Sequence, residues 1–185
     1  MHMRILFVRH GKSIANASGM VGTPETPLAE EGLEQARVTG QDLRGENVTR
    51  IVCSPFIRAQ QTAEIIAGEL GVGLDQITII PDLYERRMGT FEGKPKACET
   101  AYFYENDNEN EFETHAELID RLKRALNQII DIAKTTEGTT VAVGHATSGF
   151  FFLQVAKGRE VFNEFDTINQ MANAEFVEVE LSAKS

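Results

Sequence analysis

Strand-like segments alternate along this chain with segments of helical periodicity, and this order constrains the fold more than any other feature. The strand candidates are Arg4–Val8, Arg50–Cys53, Thr78–Ile80, Thr140–Val143 and Glu175–Leu181. The helical patterns lie near Ala29–Leu43, Arg58–Leu70 and His115–Lys134, with a shorter one over Ser148–Ala156. Short connections between alternating strands and helices predict an α/β fold in which helices cover a largely parallel sheet.

Length and charge limit the number of domains and the kinds of partner. With 185 residues and an ordinary hydrophobic content of 42%, residues 1–185 are expected to form a single domain. The formal net charge of -10 argues against binding to nucleic acid or to an anionic membrane. An anionic ligand would therefore have to be held by a local cluster of cations.

The two cysteines and the hydropathy of the chain suggest where it works. Cys53 and Cys98 have neither metal-ligand spacing nor the pattern of a disulfide framework, which favours a reducing, cytoplasmic location. No stretch is long and apolar enough to predict a signal peptide or a membrane span.

The region before the third helix contains an acidic stretch and a local helix start. Glu105–Glu113 carries five carboxylates and no cation, a pattern typical of a solvated surface loop. Thr114 and Glu117 then form a T-x-x-E capping box, which predicts that the helix begins at this point.

Two of the predicted strands end in the same way, with a histidine beside a glycine. "LFVRHGKS" ends on Arg9-His10-Gly11, and "TVAVGHATS" ends on Gly144-His145-Ala146. Ligands of open α/β sheets bind beyond the carboxyl ends of the strands. Either histidine alone could be an ordinary hydrogen-bonded loop residue, but two of them, one next to an arginine, favour a shared site.

Arg58 follows a third strand, in "VCSPFIRAQQTAEII", and has two interpretations. It could lie over the surface of its own helix, or it could face the same rim as Arg9 and His10. The planar guanidinium group suits phosphate because it donates two parallel hydrogen bonds. The sequence has no P-loop, no G-x-G-x-x-G and no cluster of metal ligands. We therefore expect a phosphoryl site that uses no cofactor and no metal.

These residues fall within an ordered set of motifs that resembles the histidine phosphatase superfamily, the phosphoglycerate mutase-like group. The family's R-H-G matches Arg9-His10-Gly11, with Asn16 at its usual downstream position. Four longer motifs follow in the family's order, namely P-L-x-x-x-G-x-x-Q-A from Pro27 to Ala36, S-P-x-x-R-A-x-x-T-A from Ser54 to Ala63, L-x-E-x-x-x-G-x-[WF]-E-G from Leu83 to Gly93, and E-[ST]-x-x-E-[LV]-x-x-R from Glu113 to Arg121. The second catalytic histidine of the family matches His145.

The resemblance implies a three-layer α/β/α fold with a mostly parallel sheet, and a phosphatase of the histidine acid phosphatase type. Such an enzyme hydrolyses phosphomonoesters without metal through a phosphohistidine, here on His10. The residues implied to neutralise the phosphoryl oxygens are Arg9, Arg58 and His145. Glu85 is implied to protonate the leaving group, although spacing alone would make it an exposed partner of Arg86 or Arg87. Contacts to phosphate or substrate are implied for Gly11, Asn16, Thr23 and Ala146.

The sequence departs from the family pattern at a few positions near the site. Lys12 stands where many members have Glu, so we expect an additional cation beside the site. Ala146 replaces a common Gly, which brings a methyl group to a place where a backbone N–H often meets a phosphate oxygen. Phe91 replaces Trp, and Phe112 replaces the Gly that usually precedes Glu113.

Two other functions stay open. A phosphoglycerate mutase would return the phosphoryl group to a glycerate, but family mutases are longer and carry an N-R-F-x-G-W-like stretch where this chain has "NASGMVGTPETPL". A non-catalytic module that binds phosphoryl ligands is disfavoured because the nucleophile, the cations and the acid are all present. The expected partner is a small phosphorylated molecule, whose identity depends on the variable stretches Ser18–Thr26 and Lys94–Glu113.

Overall fold

The predicted strands form one five-stranded sheet. The computed structural model describes residues 3–96, 111–159 and 171–182, and its strands are β1 (Arg4–Arg9), β2 (Val48–Cys53), β3 (Ile77–Ile79), β4 (Thr139–Gly144) and β5 (Phe176–Glu178). Their spatial order is β3-β2-β4-β1-β5. The first four are parallel, and β5 runs antiparallel to β1. Because β1 and β4 are neighbours, the sheet places the ends that carry His10 and His145 side by side.

Helices cover both faces of this sheet. They are α1 (Ile14–Ser18), α2 (Glu30–Asp42), α3 (Ile57–Leu70), α4 (His115–Lys134) and α5 (Thr147–Ala156). The short α1 has no counterpart among the predicted helices. A capping box between Ser13 and Asn16 begins it, and Gly19 in a left-handed conformation ends it.

Alternate side chains of the strands divide the core into two halves. Ile5 and Phe7 of β1 face one way and pack with apolar residues of α4 and α5. Leu6 and Val8 face the other way and pack with apolar residues of α3. This period of two is the ordinary geometry of a strand. The result is the predicted arrangement of three layers, in which α2 packs against α3.

The predicted start of α4 is confirmed, whereas the acidic stretch before it needs a correction. Glu117 N donates to Thr114 Oγ1 over 3.2 Å, and Thr114 N donates to Glu117 Oε2 over 2.9 Å. Residues 105–110 of the acidic stretch, like Cys98, lie outside the described residues. Its last carboxylate, Glu113, is buried in an ion pair with Arg121, so it is not part of a solvated loop.

Hydropathy sets one further limit on the described part of the chain. None of its helices combines the length and the apolar character that crossing a membrane requires.

Candidate active site

His10 lies directly beyond the end of β1, and its hydrogen bonds fix which ring nitrogen carries the proton. Its Nδ1 lies 2.6 Å from the carbonyl oxygen of Gly11. A carbonyl only accepts hydrogen bonds, so Nδ1 carries the hydrogen. Nε2 then carries the lone pair, and it accepts a hydrogen bond of 3.1 Å from Nε of Arg58. His10 is therefore a neutral imidazole whose nucleophilic nitrogen faces a cation.

The loop that carries His10 is held by contacts that explain several motif positions. A Cβ on Gly11 would lie 2.4 Å from the carbonyl oxygen of Gly32, and a Cβ on Gly32 would lie 2.0 Å from that of Lys12. Only glycine allows this close approach between the loop and α2. Gly11 N donates to Thr62 Oγ1 over 3.2 Å, and Lys12 N donates to Gln35 Oε1 over 2.8 Å.

His145 lies at the end of β4, next to His10. The centroids of the two rings are 5.1 Å apart, and His145 is completely buried. Its Nε2 lies 2.6 Å from Ser54 Oγ, which itself accepts from Phe56 N over 3.2 Å. In the tautomer in which the Ser54 hydroxyl donates to Nε2, the hydrogen of His145 is on Nδ1. Nδ1 is buried and has no hydrogen-bond partner among the described residues.

Of the two arginines of the site, Arg58 is buried and Arg9 is half-buried, and each is anchored by a backbone carbonyl. Arg58 is 4% exposed, and one of its terminal nitrogens donates to the carbonyl of Thr23 over 2.8 Å. A terminal nitrogen of Arg9 donates to the carbonyl of Met171. The Nε of Arg9 is buried with no acceptor among the described residues. Arg58 is thus not the surface residue that one interpretation of the sequence allowed.

Burial lowers the pKa of each group in this cluster, and nearby cations lower it further for His10, Arg58 and His145. Burial, followed by the charge of Arg58, holds the pKa of His10 well below its usual range. The same two causes, in the same order, lower the pKa of His145. Burial also lowers the pKa of Arg9 and of Arg58, and the nearby carboxylate of Glu85 opposes this shift in both. The site therefore combines neutral imidazoles with two guanidinium groups.

Glu85 directs its carboxylate at the beginning of α5. Oε2 accepts from Thr147 N over 3.1 Å, and Oε1 accepts from Ser148 N over 2.7 Å and from Arg86 N over 2.8 Å. The two oxygens of Glu85 thus accept hydrogen bonds from backbone N–H groups that have no partner within the first turn of α5. The side chain of Arg86 is buried elsewhere, with its Nε donating to the carbonyl of Glu113 over 2.8 Å. Glu85 is therefore not an exposed ion-pair partner of Arg86 or Arg87.

Of the other predicted contact residues, Asn16 and Thr23 use part of their polar groups within the protein. Asn16 Oδ1 lies 3.2 Å from Ser13 N and 3.0 Å from Ser13 Oγ, so its Nδ2 group is the part that can donate to a ligand. Thr23 supplies its carbonyl to Arg58, and its hydroxyl oxygen lies 3.1 Å from that of Thr26. Thr23 therefore supports the site through its backbone.

The two departures next to the histidines differ in their effect. Ala146 is the N-cap of α5, with a φ of -75° that alanine adopts without strain. The added cation of Lys12 is paired, because its ammonium group lies 2.8 Å from a carboxylate oxygen of Glu31 on the surface. Lys12 thus adds no unpaired cation to the site.

The structure adds neighbours of His10 that the sequence analysis missed. Asn173 Nδ2 donates to the His10 carbonyl over 3.1 Å, and Ala174 N donates to the Arg9 carbonyl over 3.0 Å. The charge of Lys96 also contributes to the lowered pKa of His10. No local signal marks these residues, since they reach the site only through the fold. Across residues 3–96, 111–159 and 171–182, no three His, Cys, Asp or Glu side chains are grouped as metal ligands.

Solved structures of similar fold include both phosphatases and a mutase. A mycobacterial glucosyl-3-phosphoglycerate phosphatase superposes with a TM-score of 0.81 at 20% identity, covering 96% of this chain and 90% of that one. The alpha-ribazole phosphatase of Shigella flexneri gives 0.78 at 22% identity, with coverages of 98% and 92%. A phosphoglycerate mutase of Bacillus anthracis gives 0.74 at 20% identity, with coverages of 95% and 86%. The fold is therefore the three-layer, phosphoglycerate mutase-like one.

Sequence comparison identifies the family. A protein named probable phosphoglycerate mutase GpmB, from Yersinia pestis (strain Pestoides F), is 38% identical over 94 residues. That match covers 50% of this chain and 42% of the relative, so the chain spans less than half the length of this curated relative. The model of the histidine phosphatase superfamily (branch 1) matches residues 5–185. The chain therefore belongs to the histidine phosphatase superfamily.

Proposed function

We propose that this protein is a metal-independent phosphomonoester hydrolase that works through a phosphohistidine on His10. The observation that carries the proposal is the arrangement around Nε2 of His10. This lone pair lies beside Arg58, and two further buried nitrogens, Nε of Arg9 and Nδ1 of His145, have no hydrogen-bond partner among the described residues. Buried donors without partners are rare and call for an explanation. The oxygens of a phosphoryl group would supply the missing acceptors.

The first half-reaction transfers the phosphoryl group to the enzyme. Nε2 of His10 attacks phosphorus, and the bond between phosphorus and the ester oxygen breaks with its electron pair leaving on oxygen. Arg9, Arg58 and His145 donate to the other phosphoryl oxygens, where charge accumulates in the transition state. Glu85, in its protonated form, donates a proton to the departing alkoxide.

The second half-reaction returns the enzyme to its starting state. Water attacks the phosphorus of the phosphohistidine, and Glu85, now a carboxylate, accepts a proton from it. The bond between phosphorus and Nε2 breaks, which restores the lone pair of His10 and releases inorganic phosphate. Dividing the reaction in this way replaces one difficult displacement by two easier ones.

A phosphoglycerate mutase is the second candidate, and the resemblance to proteins of that name favours it. In that case the phosphoryl group would pass from His10 to a glycerate oxygen instead of to water. A non-catalytic binding module is disfavoured by the geometry of His10, because a binding site needs no unprotonated nucleophile.

The expected substrate is a small phosphorylated molecule, and the net charge of -10 disfavours nucleic acids and anionic membranes as partners. We propose a cytoplasmic location on the cysteine usage described above.

The test is to trap the intermediate. Enzyme quenched during turnover of a labelled phosphoester should carry label that acid removes and base does not. His10→Ala should carry none, whereas His115→Ala, which changes an imidazole packed against Phe151, should remain labelled. Label in His10→Ala, or activity that chelation of divalent metals abolishes, would overturn the mechanism.

A second measurement separates the hydrolase from the mutase. The enzyme is incubated with a generic phosphoester and with 3-phosphoglycerate, each with and without 2,3-bisphosphoglycerate, and both inorganic phosphate and 2-phosphoglycerate are followed. The hydrolase releases inorganic phosphate from the generic ester under both conditions and forms no 2-phosphoglycerate. Accumulation of 2-phosphoglycerate without matching release of phosphate would favour the mutase.

A further inference from the structure

A buried ion pair lies behind the segment that carries Glu85. Nε of Arg121 lies 2.6 Å from Glu113 Oε1, and a terminal nitrogen lies 2.7 Å from Oε2, so the pair is bidentate. The two side chains are 2% and 1% exposed. Such a pair is costly to desolvate and is not in itself a source of stability. Its presence in the core therefore asks for an explanation.

The remaining hydrogen-bond donors of Arg121 all point at residues 82–85. One terminal nitrogen donates to the carbonyls of Asp82 and Tyr84, each over 2.9 Å. The other lies 3.3 Å from the carbonyl of Glu85 itself. The guanidinium group also lies over the ring of Tyr84, 3.6 Å from its centroid. Arg121 thus fixes the backbone that leads into Glu85 at three carbonyls.

Glu113 holds the same segment from its other end. Its Oε2 accepts from Arg87 N over 3.3 Å, and its own N–H donates to the Arg87 carbonyl over 3.1 Å. Its carbonyl accepts from Nε of Arg86 over 2.8 Å. Residues 82–87, which we call the acid segment, are therefore fixed on both sides of Glu85 by one buried pair.

We infer that Arg121 and Glu113 are positioning residues for the proton-donating carboxylate of Glu85. The inference rests on the proposed function, in which Glu85 is the donor. A carboxylate must reach the departing oxygen within hydrogen-bond distance to transfer its proton, and small displacements of a catalytic group are costly. The beginning of α5 orients the two oxygens of Glu85, and the buried pair sets the position of the backbone from which they extend.

The experiment compares two substrates that differ in their need for an acid. The alkoxide of glycerol 2-phosphate needs a proton to leave, whereas 4-nitrophenolate leaves readily as an anion. Arg121→Lys keeps the charge but loses the planar fork and most of the contacts to the acid segment. We expect it to lower kcat/KM for glycerol 2-phosphate at least about tenfold more than for 4-nitrophenyl phosphate. In the Glu85→Gln background, Arg121→Lys should cause no further loss on the alkyl ester.

Two further variants separate an effect on Glu85 from a general loss of folding: a double variant without the buried charges and a control on the surface. Glu113→Gln with Arg121→Met removes both charges, so that no unpaired charge stays buried if Arg121→Lys alone fails to fold. This double variant should show the same selective loss. Lys134→Gln is the matched control, because Lys134 also lies on α4 but pairs on the surface with Asp131, over 3.5 Å and outside the acid segment. This control should leave the ratio of kcat/KM for glycerol 2-phosphate to kcat/KM for 4-nitrophenyl phosphate unchanged.

A merely structural pair would give a different result. Equal losses on both esters, or losses that multiply with that of Glu85→Gln, would overturn the positioning role. A Glu85→Gln enzyme that hydrolyses both esters at the wild-type rate would instead overturn the assignment of Glu85 in the proposed function. The two failures are therefore distinguishable.

Discussion

Nε of Arg58 donates to Nε2 of His10 over 3.1 Å, so the arginine contacts the same lone pair that would attack phosphorus. This contact has two consequences. The charge of Arg58 helps to keep the imidazole neutral, since it lowers the pKa of His10. The guanidinium group also lies beside the position that the phosphoryl group would occupy. Nε of Arg58 could therefore donate to a phosphoryl oxygen in place of Nε2 of His10.

We expect Arg58→Lys to lower kcat/KM for a phosphomonoester by about 10²–10³-fold, the range seen when one donor to a developing charge is removed. Lysine keeps the charge but cannot contact both His10 and the carbonyl of Thr23. Arg44→Lys is the control, because Arg44 is an exposed arginine that pairs with Glu69 over 3.0 Å. Steady-state kinetics with 4-nitrophenyl phosphate checks the prediction, and a loss below about threefold in Arg58→Lys would contradict it.

The buried imidazoles should make the free energy of unfolding depend on pH. The pKa of both His10 and His145 is lowered in the folded protein, so below about pH 6.5 the unfolded chain binds protons that the folded one does not. Stability is then lost as the pH falls from about 6.5 toward the lowered pKa. Between pH 6.5 and 5.5 we expect a loss of about 1 kcal/mol for each histidine.

Urea unfolding at pH 7.5, 6.5 and 5.5 measures this dependence. The double variant His10→Gln, His145→Gln removes both titrating groups and should show a flatter dependence than the wild type over the same range. A dependence equal to that of the wild type would mean that other groups, and not these imidazoles, control the acid sensitivity.

Glu85→Gln tests the proton donor. Glutamine keeps the size of the side chain and much of its hydrogen bonding, but it cannot transfer the proton. Turnover of an alkyl phosphate should fall by about 10²–10⁴-fold, whereas turnover of 4-nitrophenyl phosphate should fall much less.

Two other outcomes would assign Glu85 differently. An equal loss on both substrates would indicate that it binds or positions the substrate. No loss on either substrate would mean that Glu85 is not the proton donor. The next candidate is Glu92, whose charge raises the pKa of Arg58.

Two glycine-to-alanine substitutions in helices should have effects of opposite sign. Alanine at the exposed Gly68 of α3 meets no neighbouring atom and should stabilise the protein by about 0.5–1 kcal/mol through helix propensity. Alanine at Gly32 would place its methyl group 2.0 Å from the Lys12 carbonyl oxygen. We expect a destabilisation of about 1–3 kcal/mol and lower activity, because the loop that carries His10 must shift. The midpoint of thermal unfolding of each variant measures these effects. A higher midpoint for both variants would contradict the close contact between Gly32 and the Lys12 carbonyl.

Much of the fold could be predicted because its signals are local. The capping box at Thr114 and Glu117 gave the start of α4 correctly, and the apolar runs gave the strands to within a few residues. β3 begins one residue earlier than predicted, at Ile77, and β5 is limited to Phe176–Glu178. These short edge strands have weak patterns, because each has a neighbour on one side only.

The site was predictable only where a motif marked it. Arg9, His10, Arg58 and His145 lie at strand ends or at the beginning of a helix, and the structure brings them together. Glu113 was interpreted wrongly and the pairing of Lys12 with Glu31 was not foreseen, since the partners of both residues are set by the path of the chain and not by their neighbours in sequence. Asn173 could not be found at all, because its contact with the His10 carbonyl joins positions far apart in the chain.

The position of β1 within the sheet also bears on how the protein folds during synthesis. Leu6 of β1 pairs with Val141 of β4 on one side and with Glu178 of β5 on the other. The strand that leads to His10 therefore gains both of its neighbours only after the chain from β1 to β5 has been synthesised. Contacts so distant in sequence are slow to form. On ribosome-bound chains of increasing length, we expect β1 to resist proteolysis fully only after residues 176–178 have emerged.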